Sequence, residues 1–295
     1  MSADTATAPP QLRPLALGEI IDVSIKLMRR NWRTLSLLVL IVAVPVAVVS
    51  LLITTSTTTY DAGLDVRSPD DDAAYGAGQV VNALLQIALY LLATVACFQA
   101  VADAYIGRRP DWRSSLRFAA RRSPAVLAMT IVYFCGLAVG LIFVFVGAIF
   151  LAVRWSVAMP ALLLERRRPI AALGRSWKLV GGFWWKVFGT LLIVYLLVTV
   201  LSFAVGAVLG GVLALVTNVE SLLGLLAQQA VTVVVQVFTL PLFAAVTIVL
   251  YVDLRVRKEG FDLALMADHI AHPDAPASFA PAGVSEAPRH PAFGE

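Results

Sequence analysis

The chain has 295 residues, of which 59% are hydrophobic and 14% charged, far from the quarter of charged residues typical of a soluble domain. Its apolar residues fall in long blocks with few charges, the length that crosses a hydrocarbon core about 30 Å thick, without the alternation of a transmembrane β-barrel. The formal charge of +4 comes from Lys and Arg beside those blocks rather than from a separate basic domain, which argues against a nucleic-acid partner.

The fold class these features predict is all-α, a polytopic transmembrane helical bundle of about six spans with three amphipathic interfacial helices. Residues 1–12 read as a disordered tail, 13–270 as a single membrane domain and 271–295 as a disordered Ala/Pro-rich tail. The first interfacial helix is predicted over 15–32 and the first span over 34–53. That span is longer than the 7 to 15 apolar residues of a signal-peptide core, so it reads as retained. The segment Thr54 to Gly78 follows as an outer loop carrying Asp61, Asp65, Asp70, Asp71 and Asp72 against a single Arg67.

The second span is predicted over 79–105 and the second interfacial helix over 111–122. The apolar block that follows, Pro124 to Leu164, would be roughly 60 Å long as one helix, about twice the bilayer core. Basic residues flank it on both sides, from Arg108 to Arg122 and from Arg166 to Lys186. The positive-inside rule puts both flanks in the cytoplasm, so the block must cross an even number of times. Two spans, 124–143 and 145–164, meet that condition, turning near Gly140 to Gly147. The alternative, a single long helix to about Leu151 followed by a surface segment, would export six basic residues. A third interfacial helix is expected over 169–182, then spans at 187–216 and 222–252, and a short cytoplasmic helix from Phe261 to Ile270. With both termini inside, 21 of the 23 basic residues are cytoplasmic, the exceptions being Arg67 and Arg154.

A pattern recurs before the first, third and fifth spans: Ser24-Ile25-Lys26-Leu27, Ser115-Leu116-Arg117-Phe118 and Ser176-Trp177-Lys178-Leu179. At 100° per residue, Ile21, Ile25 and Met28 share one helix face, as do Trp112, Leu116 and Ala119, and Leu173, Trp177 and Val180. The expectation is an apolar face toward acyl chains and a basic face toward headgroups, with Lys26, Arg30, Arg113, Arg117, Arg121, Arg175 and Lys178 as candidate contacts to anionic lipid. The chain then reads as three units beginning near Pro14, Asp111 and Pro169.

Candidates for chemistry are sparse. His269, His272 and His290 all follow the last span, and Cys97 and Cys135 sit in apolar blocks without neighbours at metal-ligand spacing, so no catalytic, cofactor or metal site is predicted. Glu165 and Asp253, at span boundaries, read as acids facing water. Arg154 falls near the middle of the fourth span, where a charge costs about 2.5 to 3.5 kcal/mol on insertion scales. A candidate intramembrane polar site therefore groups Arg154 with Asp103, Gln99, Gln228 and Gln229; Gln86 and Gln236 are further possible partners. The other reading of Arg154 is a helix end whose side chain reaches an interface. Gly136 with Gly140, and Gly206 with Gly210, are spaced for close helix packing.

Four segments carry a family resemblance: Arg13-Pro14-Leu15 through Gly18-Glu19-Ile20-Ile21-Asp22; Met159-Pro160-Ala161-Leu162-Leu163-Leu164-Glu165; Arg175-Ser176-Trp177-Lys178-Leu179-Val180-Gly181-Gly182; and Tyr251-Val252-Asp253-Leu254-Arg255-Val256-Arg257-Lys258-Glu259-Gly260-Phe261-Asp262-Leu263. With these the chain resembles a family of bacterial, largely actinobacterial, membrane proteins named for the membrane domain of glycerophosphoryl diester phosphodiesterase, over nearly its whole length except the tails. Relatives commonly show Pro-Gly where this chain has Val146-Gly147. In fused members the phosphodiesterase chemistry belongs to a separate soluble barrel, so the resemblance implies a membrane domain rather than an esterase. The expectation is a non-enzymatic plasma-membrane protein, both termini cytoplasmic, that contacts lipid or holds partners through its C-terminal segment. A transporter or flippase of an amphiphile is the alternative, and a membrane-linked phosphodiesterase the third reading.

Overall fold

The computed structural model describes residues 14–57, 72–142, 146–214 and 222–260. Helices account for nearly all of them: α1 (Leu17–Arg30), α2 (Trp32–Thr57), α3 (Asp72–Tyr105), α4 (Trp112–Ile142), α5 (Val146–Arg154), α6 (Ala158–Leu164), α7 (Pro169–Val180), α8 (Trp184–Ala214) and α9 (Leu222–Glu259). Six spans follow by length and hydropathy, α5 and α6 together forming the fourth, and the described residues contain no strand. Both tails, the proposed helix from Phe261 to Ile270 and most of the acidic loop lie outside the described residues.

The bundle is organised around α9. In its most apolar stretch 61% of residues are buried, against 6% in α8, so α9 is a central post and α8 a wall facing outward. Leu240 to Val256 are buried almost without interruption, and α1, α2, α3, α6, α7 and α8 all pack on α9. At 38 residues α9 is about 57 Å long, well over a core of roughly 30 Å. Its charged last turns stay helical because Asp253 pairs with Arg257 and Arg255 with Glu259, each at the i,i+4 spacing that helices favour.

Packing is concentrated at one end of the bundle. The end that gathers Leu15, Tyr105, Trp112, Glu165, Lys186 and Glu259, here the basic end, holds the buried residues of α3 (Ala93 to Phe98, Ala100 to Ala102), α6 and α7. Toward the opposite end, large side chains such as Leu52, Leu84, Phe134, Phe203 and Leu223 are exposed, as a lipid-facing surface requires.

The structure departs from the sequence reading at four points. First, the second amphipathic segment and the third span are one continuous helix, α4, in which Pro124 is interior. No glycine separates the two segments, and Pro124 removes only the N–H that the Ala120 carbonyl would have accepted, so the helix runs on through it. Second, the fourth span is broken between Arg154 and Ala158. Pro160 has no N–H for Ser156 and its ring crowds that carbonyl; the chain turns instead through tighter bonds, Ser156 N–H to Val153 O at 3.3 Å and Ala158 N–H to Trp155 O at 3.0 Å.

Third, the apolar faces expected to meet acyl chains are largely used against the protein. Val23, Ile25, Leu27 and Met28 of α1, and Trp112 and Leu116 of α4, pack on the core, while Leu173 and Val180 of α7 are buried. Nor does α1 simply cap the bundle. It runs beside α9, from the Leu15 N–H bonded to Asp253 just before it to Trp32, at the start of α2 just after it, whose ring is tilted against Phe238. Fourth, α9 does not end at the expected span boundary of 252: Asp253 to Val256 continue it and are buried.

The threefold pattern nevertheless has a structural counterpart. Ser24, Ser115 and Ser176 are each fully buried, whereas Lys26, Arg117 and Lys178, two residues later and about 200° round the helix, are exposed. The small hydroxyl marks the inward face of each segment and the cation the outward one.

Of the two glycine pairs, one is used. A Cβ on Gly136 would stand 2.4 Å from the Trp155 ring, and one on Gly140 would meet Leu151 at 2.9 Å and the Ala148 backbone at 3.1 Å, so α4 and α5 form a close hairpin there. A Cβ on Gly206 or Gly210 would meet no atom of another element within 4 Å among the described residues. Gly136→Leu is therefore expected to lower unfolding stability in detergent by about 1–3 kcal/mol through overpacking, and Gly206→Leu to stay within about 0.5 kcal/mol. Equal effects would contradict this assignment of the hairpin contact.

Candidate functional site

The polar chemistry of the described residues converges on the basic end, in two linked clusters around α9. The first is built on Glu165, at the end of α6, whose side chain is 2% exposed. It accepts hydrogen bonds from the Tyr251 hydroxyl at 2.5 Å, from Arg167 Nε at 2.5 Å and from Arg175 Nε at 2.9 Å. Arg175 turns its other nitrogens onto Glu259, Nη2 at 2.7 Å and Nη1 closer still, and Arg255 Nε reaches Glu259 at 3.2 Å. Burial alone would push the Glu165 carboxyl up; the bonds from Tyr251, Arg167 and Arg175, with the Arg175 charge, more than offset it and hold the group below the ordinary carboxylate range. Burial likewise opposes the Arg175 charge, but its two carboxylate partners raise its pKa.

The second cluster is built on Asp253, whose side chain is wholly buried. Lys186 Nζ meets it at 2.5 Å and Arg257 Nε at 3.1 Å, and it accepts the Leu15 N–H at 2.7 Å. The Leu15 carbonyl in turn accepts from Lys186 at 2.8 Å and from Arg257 at 2.9 Å. The entry to α1, the start of α8 and the end of α9 are thereby tied together by one carboxylate and one peptide unit.

These clusters correct two sequence expectations. Glu165 and Asp253 do not face water: each is buried among cationic partners, with the Tyr251 hydroxyl added at Glu165 and the Leu15 N–H at Asp253. Arg175 is not free to hold headgroups, because it bridges Glu165 and Glu259. The remaining headgroup candidates, Lys26, Arg30, Arg113, Arg117, Arg121 and Lys178, are exposed; Lys26 pairs with Asp22 on its own helix, and Arg113 lies over the Trp112 ring.

The five residues of the proposed intramembrane site do not come together. Gln99 donates to Asp103, one turn away on α3, at 3.0 Å. Gln228 is exposed on α9. Gln229 lines a cavity between α2, α3 and α9 that also takes in Gln86, Tyr90, Thr232 and Gln236; its volume is about 20 Å³, room for one water molecule. Arg154 reaches neither acid nor glutamine. It ends α5 at the break and donates to the Trp177 carbonyl at 3.2 Å, its guanidinium over the rings of Trp177 and Phe150. Among the described residues no group of three or more His, Cys, Asp and Glu side chains is placed to hold a metal.

Three of the four segments that carry the resemblance thus meet at Glu165, Arg175 and the end of α9, and the fourth joins them through Leu15 and Asp253. The family model described as the membrane domain of glycerophosphoryl diester phosphodiesterase matches residues 129–275. The chain contains that domain. The match runs from within α4 through α9, so it includes both buried carboxylates, Glu165 and Asp253, and most of their partners; Leu15 and α1 lie outside it and are held to it by the bonds just described. No curated protein and no solved structure matches the chain.

Because the folded-state pKa of Glu165 lies below the unfolded carboxylate value of about 4.3, its stabilisation is complete above that pH and is lost as pH falls through the folded value. Glu165→Gln should cost about 1–3 kcal/mol at pH 7 and flatten the acid limb of the membrane domain's stability profile between pH 5 and 3. Unfolding midpoints measured across that range test this; superimposable profiles for the two proteins would contradict it.

Proposed function

We propose that the chain is a non-catalytic, multi-pass membrane domain that gathers anionic lipid headgroups around the basic end of its bundle. One observation carries the reading: in each of the three repeated segments the serine is buried and the cation, Lys26, Arg117 or Lys178, is exposed. Arg30, Arg121 and Lys178 make no ion pair among the described residues. Cations near a membrane surface gain about 1 kcal/mol each from anionic lipid. The charge asymmetry of the sequence supports a bacterial plasma membrane with this end, and both termini, on the cytoplasmic side. In this reading the segment beyond Gly260 is the candidate contact for soluble partners.

A transport reading has one observation in its favour, the glutamine-lined cavity between α2, α3 and α9. Its volume of about 20 Å³ suits one water molecule and leaves no room for an amphiphile in this conformation.

The combined variant Lys26→Glu, Arg117→Glu, Lys178→Glu should co-purify severalfold less phosphatidylglycerol relative to phosphatidylethanolamine in polymer-extracted nanodiscs, with its helical content unchanged. An unaltered lipid ratio in a folded variant would contradict the proposal.

A further inference from the structure

The break between α5 and α6, the end of α7 and the first turns of α8 surround a cation that the protein itself leaves under-neutralised. Arg154 has five N–H donors, of which one is engaged, by the Trp177 carbonyl. Its Nε is buried without an acceptor, as is the Trp184 Nε1 donor nearby on the same aromatic surface. The guanidinium is covered by rings, Trp177 at 4.7 Å and Phe150 at 5.3 Å, and forms no ion pair among the described residues. From Phe150 the rings continue as a ladder to Trp184 at 6.0 Å and on to Phe188 at 5.2 Å, both stacked. Phe150, Trp177 and Trp185 are exposed. The turn after α7 is pared back at the cation: a Cβ on Gly181 would stand 3.1 Å from Arg154 Nη1, and Gly182 holds a φ of 85°.

A guanidinium within an apolar span calls for an anion, and two aromatic faces and one carbonyl supply only partial negative charge. At a belt of tryptophans the anion within reach is a lipid phosphate, which a guanidinium grips through two nitrogens at once.

We propose that Arg154 is a discrete site for the phosphate of one anionic phospholipid, whose acyl chain lies along the Phe150–Trp184–Phe188 surface. The site deepens the lipid-contact reading and shares its membrane setting; it touches the three repeated segments only at Trp177, and none of their exposed cations belongs to it.

The test is native mass spectrometry of the purified full chain titrated with phosphatidylglycerol, with phosphatidylcholine as the zwitterionic control and sn-glycerol 3-phosphate as the soluble phosphate ester. Arg154→Gln should weaken the first phosphatidylglycerol adduct about tenfold, the equivalent of about 1.4 kcal/mol, and leave phosphatidylcholine unchanged. The variant Lys26→Glu, Arg117→Glu, Lys178→Glu should keep that first adduct. If Arg154→Gln fails to fold, Gly181→Val, which drives a side chain against Nη1 and keeps the charge, should show the same selective weakening. Unchanged phosphatidylglycerol affinity in folded Arg154→Gln overturns the site, and loss of the adduct in the triple variant alone overturns it while leaving the basic-face reading intact. Displacement of the lipid by an equal concentration of sn-glycerol 3-phosphate overturns its assignment to lipid.

Discussion

Asp253 and Glu165 are carboxylates withdrawn from water into the packed end of a membrane bundle, and an ionised carboxylate in such a place persists only if cations and donors surround it. That requirement fixes which parts of the chain meet. Asp253 is satisfied by Lys186 from the start of α8, by Arg257 one turn along α9 and by the Leu15 N–H. Glu165 is satisfied by Tyr251, Arg167 and Arg175. The elements that bring these partners, the chain entering α1 and helices α7 and α8, are therefore drawn to the last three turns of α9. The apolar packing of Leu240 to Val256 follows from that gathering.

The same arrangement separates two uses of positive charge. Arg175, Lys186, Arg255 and Arg257 face inward and neutralise acids, whereas Lys26, Arg117 and Lys178 face outward from segments that share a buried serine. Arg154 belongs to neither set. It stands among tryptophan and phenylalanine rings at the break in the fourth span, and the protein offers it no counter-charge among the described residues. With the inward cations paired, and Arg117 and Lys178 outward and without an ion pair among the described residues, the surface is suited to binding anions from outside the chain.

Much of the architecture was legible in the sequence because its causes are local. Span number follows from apolar length against bilayer thickness, and the division of Pro124 to Leu164 from the basic flanks on either side. The Gly136/Gly140 contact followed from small-residue spacing, although identical spacing at Gly206 and Gly210 meets no partner among the described residues, since the pattern permits an approach without supplying one. A kink at Pro160 is readable from its missing N–H, but where the chain turns is not, so Arg154 reads equally as mid-span or as a helix end. Its neighbours on α7 lie more than 20 residues away in sequence and carry no local signal. The pairing of Asp253 with Arg257 and of Arg255 with Glu259 is visible as i,i+4 spacing, but Glu165 and Tyr251 lie 86 residues apart, and no local signal connects them. Only the resemblance set those segments side by side, and it did not say that they touch.

The central claim is that Asp253 holds α8 and α9 together through Lys186, and a double-mutant cycle measures that most directly. Unfolding free energies of Lys186→Leu, Asp253→Leu and the double variant, taken in mixed detergent at pH 7, should be non-additive. The double variant is expected to be more stable than the sum of the single losses predicts, by about 1–3 kcal/mol, because removing both charges leaves neither stranded. Additive losses would mean that the two groups stabilise the bundle independently, and the account of α9 as a post anchored by its buried carboxylate would fail.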